Sequence, residues 1–342
     1  MSSWMSAAVP PKLWAVVRGR RIGVRFALPV LVAAVLVCGG GPASAKTKPL
    51  VRTWKIHYLA ANGERRAAYV VLPSWYGPKR HPRIPLIISP HGRGLDGRRN
   101  ARIWGGLPGR GGFAVVNPDG LSRYSWGAPK QIDDLARMPE IVRRTLPFVR
   151  IDSRRIYAFG GSMGGQETLL LLARKPGLLA GAAAFDSVAD FAKQYRHFPE
   201  LGCSRACRQA WNGELGLGLQ KLARTQIGGT PQSASYAFRL RSPITYVRKI
   251  AASCVPLQLW WSVADKIVVD QQSQSGKLFW TLRKLNPSAP VQAFVGTWIH
   301  SSEMTAHAQL PRALAAFGLL PERRSPAGVR AVPPPFERGL CN

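Results

Sequence analysis

The 342-residue sequence contains few acidic side chains, few cysteines and no apolar run long enough to span a bilayer. Aspartate and glutamate together number 17 against 48 lysines and arginines, so the formal charge is +31. The apolar stretch 26–38 is shorter than the ~20 residues that cross a membrane as a helix, so we expect no stable membrane span. The absence of a Gly-X-Y period, a heptad period or a longer internal repeat excludes collagen, coiled coils and solenoids.

The residues that are present indicate a folded chain with a basic surface. Hydrophobic residues make up 46% of the sequence, which is too many for a disordered chain. The excess of arginine and lysine predicts a weak attraction to anionic polymers. It does not predict specific nucleic-acid binding, because the basic residues are scattered and no helix-turn-helix or zinc motif occurs. No metal-binding spacing of Cys and His is present either, and we expect neither a metal nor another cofactor.

Residues 1–45 have the layout of a secretory signal. Basic residues precede the apolar stretch, Gly39–Pro42 ends it, and Ala43-Ser44-Ala45 supplies the small residues of a cleavage site. We therefore expect a secreted or extracytoplasmic protein that is cleaved near Ala45. An uncleaved membrane anchor is the alternative reading of the same segment.

The four cysteines beyond this segment can form disulfides in an exported protein. They are Cys203, Cys207, Cys254 and Cys341. Three pairings of four cysteines are possible in principle. The spacing favours a local Cys203–Cys207 bridge, together with a Cys254–Cys341 bridge that would hold the C-terminal segment.

The chain after the signal segment alternates between strand and helix patterns. Two alternating segments, Val51–Ala60 and Arg65–Leu72, flank Asn62-Gly63 and predict an antiparallel hairpin. Short apolar strands then alternate with amphipathic helices. This order predicts an α/β fold with a mostly parallel, doubly wound sheet of about eight strands.

Two segments depart from that alternation. Residues 187–241 hold glycines, mixed aromatics and the two neighbouring cysteines, and we expect them to form an insertion, or lid, over the sheet. Residues 321–342 are rich in proline and arginine, which predicts an extended tail. We therefore expect residues 46–320 to form the main domain.

The most specific motif is the Gly-x-Ser-x-Gly centred on Ser162, which runs from Gly160 to Gly164. A strand pattern precedes it and a helix pattern follows it, as a nucleophile elbow requires. A sharp, strained turn raises the serine oxygen above the sheet, and the glycines let the strand and helix backbones approach. The helix N-terminus favours the negative charge of a reaction intermediate. These features predict that Ser162 is a nucleophile.

The segment 91–94, which reads His-Gly-Arg-Gly, follows an earlier strand. Backbone N–H groups in such a loop can bind an oxyanion together with the amide that follows the nucleophile. We therefore predict that Met163, Gly92 and Arg93 form an oxyanion hole. The Gly-x-Gly-x-x-Gly that begins at Gly92 also matches a dinucleotide-binding pattern, but charged residues rather than an apolar helix face follow it.

Asp265 and His300 complete the chain order Ser, Asp, His. Each follows a predicted strand, so both are expected at the carboxyl edge of the parallel sheet, as Ser162 is. A serine hydroxyl needs a base, and that base needs an acceptor on its other ring nitrogen. Among the rival acids, we expect Asp270 to cap a helix and Asp186 to end its own strand.

The chain resembles the α/β-hydrolase superfamily over nearly all of residues 50–320. The segments similar to prolyl-oligopeptidase-type catalytic domains are Gly160–Gly165, Phe185–Asp190, Arg241–Ile244 and Val255–Leu257. The segments similar to secreted feruloyl or polyhydroxyalkanoate-type esterases are Asn117–Gly120, Trp126 and Ile151–Tyr157. The resemblance implies an α/β-hydrolase fold, with Ser162 as nucleophile, Asp265 as acid and His300 as base.

These observations predict an exported serine hydrolase that cleaves a small ester or peptide through an acyl-enzyme intermediate, without a propeller domain. Gln166 and Glu167 depart from the peptidase pattern after the elbow. One alternative is a strict carboxylic-ester hydrolase of the feruloyl esterase type. The other is a non-catalytic binding protein on the same fold, which the intact Ser, Asp and His positions disfavour because a retired enzyme need not keep them.

Overall fold

The computed structural model describes residues 50–202, 215–301 and 309–320, together with the backbone of 330–332. The predicted signal segment, most of the predicted tail and the middle of the predicted insertion lie outside these residues. So do three of the four cysteines considered above, Cys203, Cys207 and Cys341. The disulfide pairings therefore stay predictions.

An antiparallel hairpin opens the described chain, as the sequence predicts. Strand β1 (Val51–Leu59) pairs with strand β2 (Arg65–Pro73) in an unbroken register. Gly63 closes the turn at a φ of +84°, a conformation that glycine adopts without a steric penalty. β1 lies at the edge of the sheet, and most of its side chains are at least partly exposed.

A mostly parallel sheet follows the hairpin, and this confirms the predicted fold class. Its described strands number nine and lie in the order β1-β2-β4-β3-β5-β6-β7-β8-β9. The pairs from β4 through β8 are parallel, whereas β2 and β9 join their neighbours in antiparallel pairs. The strands beyond the hairpin are β3 (Ile84–Ile88), β4 (Ala114–Pro118), β5 (Ile151–Gly161), β6 (Gly181–Phe185), β7 (Leu257–Ser262), β8 (Val291–Gly296) and β9 (Arg330–Val332).

The ninth strand was not expected. β9 lies within the segment that the sequence analysis treats as an extended tail, and it pairs with β8. Three residues are too few for an alternating pattern to stand out from a Pro- and Arg-rich background. The sheet is therefore one strand larger than the prediction of about eight.

Helices cover both faces of the sheet, as in a doubly wound fold. Among the described residues, no helix is both long and apolar enough to cross a bilayer. The α-helices are α1 (Gly97–Ile103), α2 (Leu107–Gly111), α3 (Pro129–Thr145), α4 (Met163–Arg174), α5 (Phe191–His197), α6 (Gly216–Ile227), α7 (Ser235–Leu240), α8 (Val247–Ser253), α9 (Ser275–Leu285) and α10 (Gln309–Ala316). Short 3₁₀ turns occupy Pro176–Leu178, Phe198–Glu200, Pro243–Tyr246 and Gln271–Ser273.

Alternation along the strands divides the core into two layers. In β7, Leu259 and Trp261 pack on the face covered by α3, α4, α8 and α9, while Trp260 packs on the opposite face with α10. β5 divides in the same way, with Ala158 on the first face and Phe159 on the second. Successive side chains of a strand point to opposite faces, so strands buried on both faces read as continuous apolar runs.

A third, smaller cluster joins the described part of the 187–241 segment to the end of β5. Phe191, Phe198 and Phe238 come from that segment, and they pack with Trp126 and Met163. The Trp126 ring lies 5.3 Å from that of Phe191 and 5.6 Å from that of Phe198. The described helices α5, α6 and α7 thus pack beside the start of α4.

Helix α4 lies unusually close to the neighbouring backbone. A Cβ atom built on Gly164 would lie 2.3 Å from the carbonyl oxygen of Pro90, and one on Gly160 would lie 2.4 Å from that of Gly164. Backbone atoms cannot rotate away as a side chain does. The glycines of the Gly-x-Ser-x-Gly motif are therefore required by close packing between β5, α4 and the loop after β3.

We predict that Gly164→Ala lowers the free energy of unfolding by about 1–3 kcal/mol, because its methyl group would overlap the Pro90 carbonyl. Urea denaturation at neutral pH measures this effect. Gly177→Ala is the matched control, since no atom lies within 4 Å of its added Cβ, and it should change the free energy by less than about 0.5 kcal/mol. Equal effects for the two variants would contradict the packing argument.

Candidate active site

Ser162 occupies the turn between β5 and α4. Its φ is +57° and its ψ is −124°, a combination that L-residues rarely adopt and that stores strain. Two backbone hydrogen bonds hold the turn: the Ser162 N–H donates to the Phe185 carbonyl at 2.8 Å, and the Gln166 N–H donates to the Ser162 carbonyl at 3.0 Å. Met163 is the first residue of α4, so its N–H has no acceptor within the helix.

The loop after β3 lies directly against this turn. A Cβ atom on Gly92 would lie 3.9 Å from the Ser162 Cβ and 3.7 Å from the Gly161 carbonyl oxygen. The ring nitrogens of buried His91 contact the carbonyl oxygens of Gly92 and Asp119, at 2.9 and 3.0 Å. Of the residues predicted for an oxyanion hole, Gly92 and Met163 are therefore immediate neighbours of Ser162.

Arg93, the third residue predicted for that hole, is almost fully buried. Burial lowers the pKa of its guanidinium, and the nearby Tyr124 opposes this shift. The charge of Arg93 also acts against protonation of His300. The structure thus places the Arg93 charge within electrostatic reach of His300.

Asp265 and His300 form a buried hydrogen-bonded pair. Asp265 Oδ2 lies 2.7 Å from His300 Nδ1, and neither side chain is exposed to solvent. The Asp265 carboxylate also accepts the N–H groups of Ile267 and Val268, at 2.8 and 3.1 Å, and the Gln271 amide at 3.1 Å. These donors fix the carboxylate, which in turn fixes the orientation of the imidazole ring.

Electrostatics favour the charged forms of this pair. Burial alone would lower the pKa of His300, but the charge and hydrogen bond of Asp265 and the charge of Asp186 raise it above its ordinary value. Burial alone would raise the pKa of Asp265, but the charge and hydrogen bond of His300 lower it. Asp265 is therefore held ionised, and Nδ1 of His300 is held as a donor, which leaves Nε2 as the basic nitrogen.

The structure brings the predicted residues to one edge of the sheet. Ser162 follows β5, Asp265 follows β7 and His300 follows β8, and these strands are linked by parallel pairs. Asp265 is hydrogen-bonded to His300, whereas the described contacts contain no hydrogen bond from the Ser162 hydroxyl to His300. Hydrogen bonds of this kind often close only when a substrate is bound.

Solved structures of known proteins share this architecture at low sequence identity. An acylaminoacyl peptidase from Pyrococcus horikoshii superposes with a TM-score of 0.57 at 15% identity, over 82% of this chain and 43% of that chain. Dipeptidyl peptidase 4 from Porphyromonas gingivalis gives 0.55 at 19%, over 79% and 36%. An esterase from Pyrococcus furiosus gives 0.53 at 14%, over 78% and 90%. No protein-family model and no curated protein sequence matches the chain.

The chain adopts the α/β-hydrolase fold. It spans less than half the length of the two peptidases but most of the length of the esterase. The fold predicted from the sequence, including the opening hairpin, is thereby confirmed.

Within this α/β-hydrolase fold, Asp186 has a larger part than the sequence analysis assigned. It follows β6 at the same edge, as expected, but it does more than end its own strand. Its buried carboxylate accepts hydrogen bonds from the Ser262 N–H at 2.8 Å, the Trp298 indole at 2.8 Å and the Ser301 N–H at 2.6 Å. Burial raises its pKa to about 6, against the opposing charge of His300. The sequence signal that could have indicated this role is that Asp186 follows a strand whose end lies at the same edge as Ser162.

The other rival acid behaves as predicted. Asp270 caps the 3₁₀ turn that precedes α9, and its side chain accepts the Ser273 N–H. It also forms an ion pair of 2.7 Å with Lys193. These contacts indicate that Asp270 stabilises the local structure around the 3₁₀ turn.

Among the described residues, the cluster with potential metal ligands is Asp186, Asp265 and His300, whose ligand atoms lie within 4.8 Å of one another. Asp265 and His300 already share a hydrogen bond, and three N–H donors occupy the Asp186 carboxylate. This donor set fits a network of hydrogen bonds better than a metal site. The expectation that no metal is needed stays a prediction.

Glu167 is a second buried acid that the sequence analysis did not place in the site. It lies on α4 and accepts hydrogen bonds from the Ser125 hydroxyl and from Gln131 Nε2, the latter at 3.0 Å. The Ser125 hydroxyl and the Trp126 N–H also contact the Met163 sulfur, at 3.8 and 3.4 Å. Glu167 therefore ties the loop around Trp126 to the residue that follows Ser162.

We predict that Glu167→Gln becomes more stable relative to the wild type as the pH rises. Burial raises the pKa of Glu167 above its ordinary 4.5, although the Ser125 hydrogen bond opposes this. The unfolded chain thus ionises first, and the wild type loses stability as the pH rises from its ordinary pKa through the raised one. Urea denaturation from pH 4 to pH 8 measures the difference.

Glu140→Gln, at an exposed position on α3, is the matched control, because it removes a carboxylate that is not buried. Equal pH trends for the two variants would contradict the assignment of a costly buried carboxylate at Glu167.

Proposed function

We propose that the protein is a serine hydrolase that cleaves an ester or peptide bond through an acyl-enzyme intermediate. The observation that carries this proposal is the buried Asp265–His300 pair, at the edge where the strained turn presents Ser162. A packed core has no structural need for a buried carboxylate–imidazole pair at the same sheet edge as a strained serine. Serine hydrolases need that combination for nucleophilic attack.

The reaction follows from the geometry of these groups. Ser162 Oγ attacks the substrate carbonyl carbon while His300 Nε2 takes the hydroxyl proton, and Asp265 stabilises the resulting imidazolium. The N–H groups of Met163 and of the Gly92–Arg93 loop stabilise the oxyanion. Collapse of the intermediate releases the alcohol or amine, which takes the proton from His300. Water then releases the acid by the same steps and restores the Ser162 hydroxyl.

The substrate we propose is a small ester or peptide. Both bond types react through a tetrahedral intermediate that carries an oxyanion, so the groups described above serve either. The similar structures include two proteins named as peptidases and one named as an esterase, and the chain spans most of the esterase. Ester hydrolysis is therefore the first activity to assay, and a strict carboxylic-ester hydrolase is the narrower form of the same proposal.

We also propose that the protein acts outside the cytoplasm, with cleavage near Ala45. The basic, apolar and small-residue order of residues 1–45 supports this. Cleavage removes the five basic residues of 1–45, and the formal charge of +26 that remains supports a weak association with anionic polymers there. N-terminal sequencing of the protein recovered from culture medium tests the cleavage directly.

We predict that Ser162→Ala lowers kcat for a short-chain p-nitrophenyl ester by roughly four to six orders of magnitude, since it removes the attacking oxygen. Steady-state rates measured alongside thermal melting curves separate loss of chemistry from loss of fold. Ser253→Ala is the control and should keep nearly full activity. Ser253 is the last residue of α8 and precedes the amino end of β7, whereas Ser162 lies at the carboxyl edge of the sheet. A folded Ser162→Ala variant with wild-type rates would overturn Ser162 as the nucleophile, whereas a wild-type protein with no rate above background would support the non-catalytic binding protein.

We predict that kcat/KM falls on the acid side with a midpoint above the ordinary histidine value of 6.5. His300 acts as a base only when it is neutral, and its neighbours raise its pKa, so protonation removes activity at a higher pH than for an exposed histidine. Rates from pH 5 to pH 9 locate the midpoint. A rate that stays flat down to pH 5 would rule out a histidine base.

A further inference from the structure

We propose that Asp186 is a positioning residue for His300, acting as a second carboxylate that fixes the loops after β7 and β8 against each other. This inference rests on the proposed function, because its effect is exerted through His300. Asp186 itself lies on neither of the two loops. Its own N–H donates to the Trp260 carbonyl at 2.7 Å, which anchors it to the sheet.

The three hydrogen bonds to its carboxylate reach both loops. Oδ1 accepts the N–H of Ser262, the last residue of β7. Oδ2 accepts the indole N–H of Trp298 and the backbone N–H of Ser301, which stand two residues before and one residue after His300. One oxygen atom thus binds the Trp298 side chain before His300 and the Ser301 backbone after it.

A further contact ties the same two loops together. The Ser262 hydroxyl donates to the Trp298 carbonyl and accepts the Ala264 N–H at 3.0 Å. Ser262 therefore bonds to Asp186 through its backbone and to the His300 loop through its side chain. These bonds fix the position of Asp265, which lies three residues after Ser262, relative to His300.

Two residues of this network adopt strained backbone conformations. Asp186 has a φ of +43° and Ser301 has a φ of +51°, both in the left-handed region that L-residues seldom occupy. Such conformations persist only where the surroundings over-determine them. The hydrogen bond from the Ser301 N–H to Asp186 is one contact that holds Ser301 in this state.

Asp186 also acts on His300 through its charge. The charged groups that face His300 are Asp265 from the loop after β7, Asp186 from the loop after β6 and Arg93 from the loop after β3. The two carboxylates favour the imidazolium, and the guanidinium disfavours it. Removing the charge of Asp186 therefore makes His300 easier to deprotonate.

Asp186→Asn is the test, because asparagine has the same shape and also tolerates positive φ. Its side chain offers only one oxygen acceptor, so at least one of the three N–H donors loses its partner. We expect kcat to fall by about 10–100-fold with KM nearly unchanged, as for a small displacement of a catalytic group. We also expect the acid limb of kcat/KM to move to lower pH, a shift that a purely structural role would not cause.

Asp190→Asn is the matched control on the same β6–α5 connection. Asp190 caps α5 by accepting the Lys193 N–H, a role that asparagine also fills, and it should leave kcat and the acid limb unchanged. Asp186→Asn with kcat within about twofold of the wild type, or with an unshifted acid limb, would overturn the positioning role.

Trp298→Phe keeps the inference testable if Asp186→Asn does not fold. It removes one donor to Asp186 but leaves the carboxylate charged. We expect a severalfold loss of kcat without the shift of the acid limb to lower pH, and no loss of kcat would count against the proposal. Ser162→Ala in the same series distinguishes the two claims, since its full activity would refute the proposed function whatever Asp186 does.

Discussion

The hydrogen-bonded register across the parallel strands is the constraint on which the site depends. Adjacent strands align one row of residues at the carboxyl edge, namely Gly161, Phe185, Trp260 and Phe294. Ser162 and Asp186 come directly after the first two of these, and backbone hydrogen bonds link each to the next strand. A shift of one strand by one residue would reverse its side-chain faces and separate these groups.

The site contains buried charges and strained backbone, and the core must offset their free-energy cost. Burial raises the pKa of both Asp186 and Glu167, which means that their ionised forms are costly in the folded state. Positive φ values at Ser162, Asp186 and Ser301 add backbone strain. The two apolar layers on either face of the sheet supply the compensating burial. These departures from local rules lie at the edge where chemistry is proposed.

Sequence patterns predicted the features that are local in the chain. The hairpin follows from Asn62-Gly63 between alternating segments, and the strained turn follows from glycines flanking Ser162. The role of Asp186 did not follow, because its hydrogen-bond donors lie 76, 112 and 115 residues away. Only the sheet register brings such residues together. β9 was missed for a related reason, since it exists through its pairing with β8 rather than through its own composition.

Covalent labelling tests most directly whether Ser162 carries an activated oxygen. The folded protein is treated with a fluorophosphonate, which reacts with serines that a neighbouring base activates. Peptide mapping by mass spectrometry then locates the adduct. We expect a single adduct on Ser162, whose formation slows as the pH falls and His300 becomes protonated. Labelling of another serine, or of none, would contradict it.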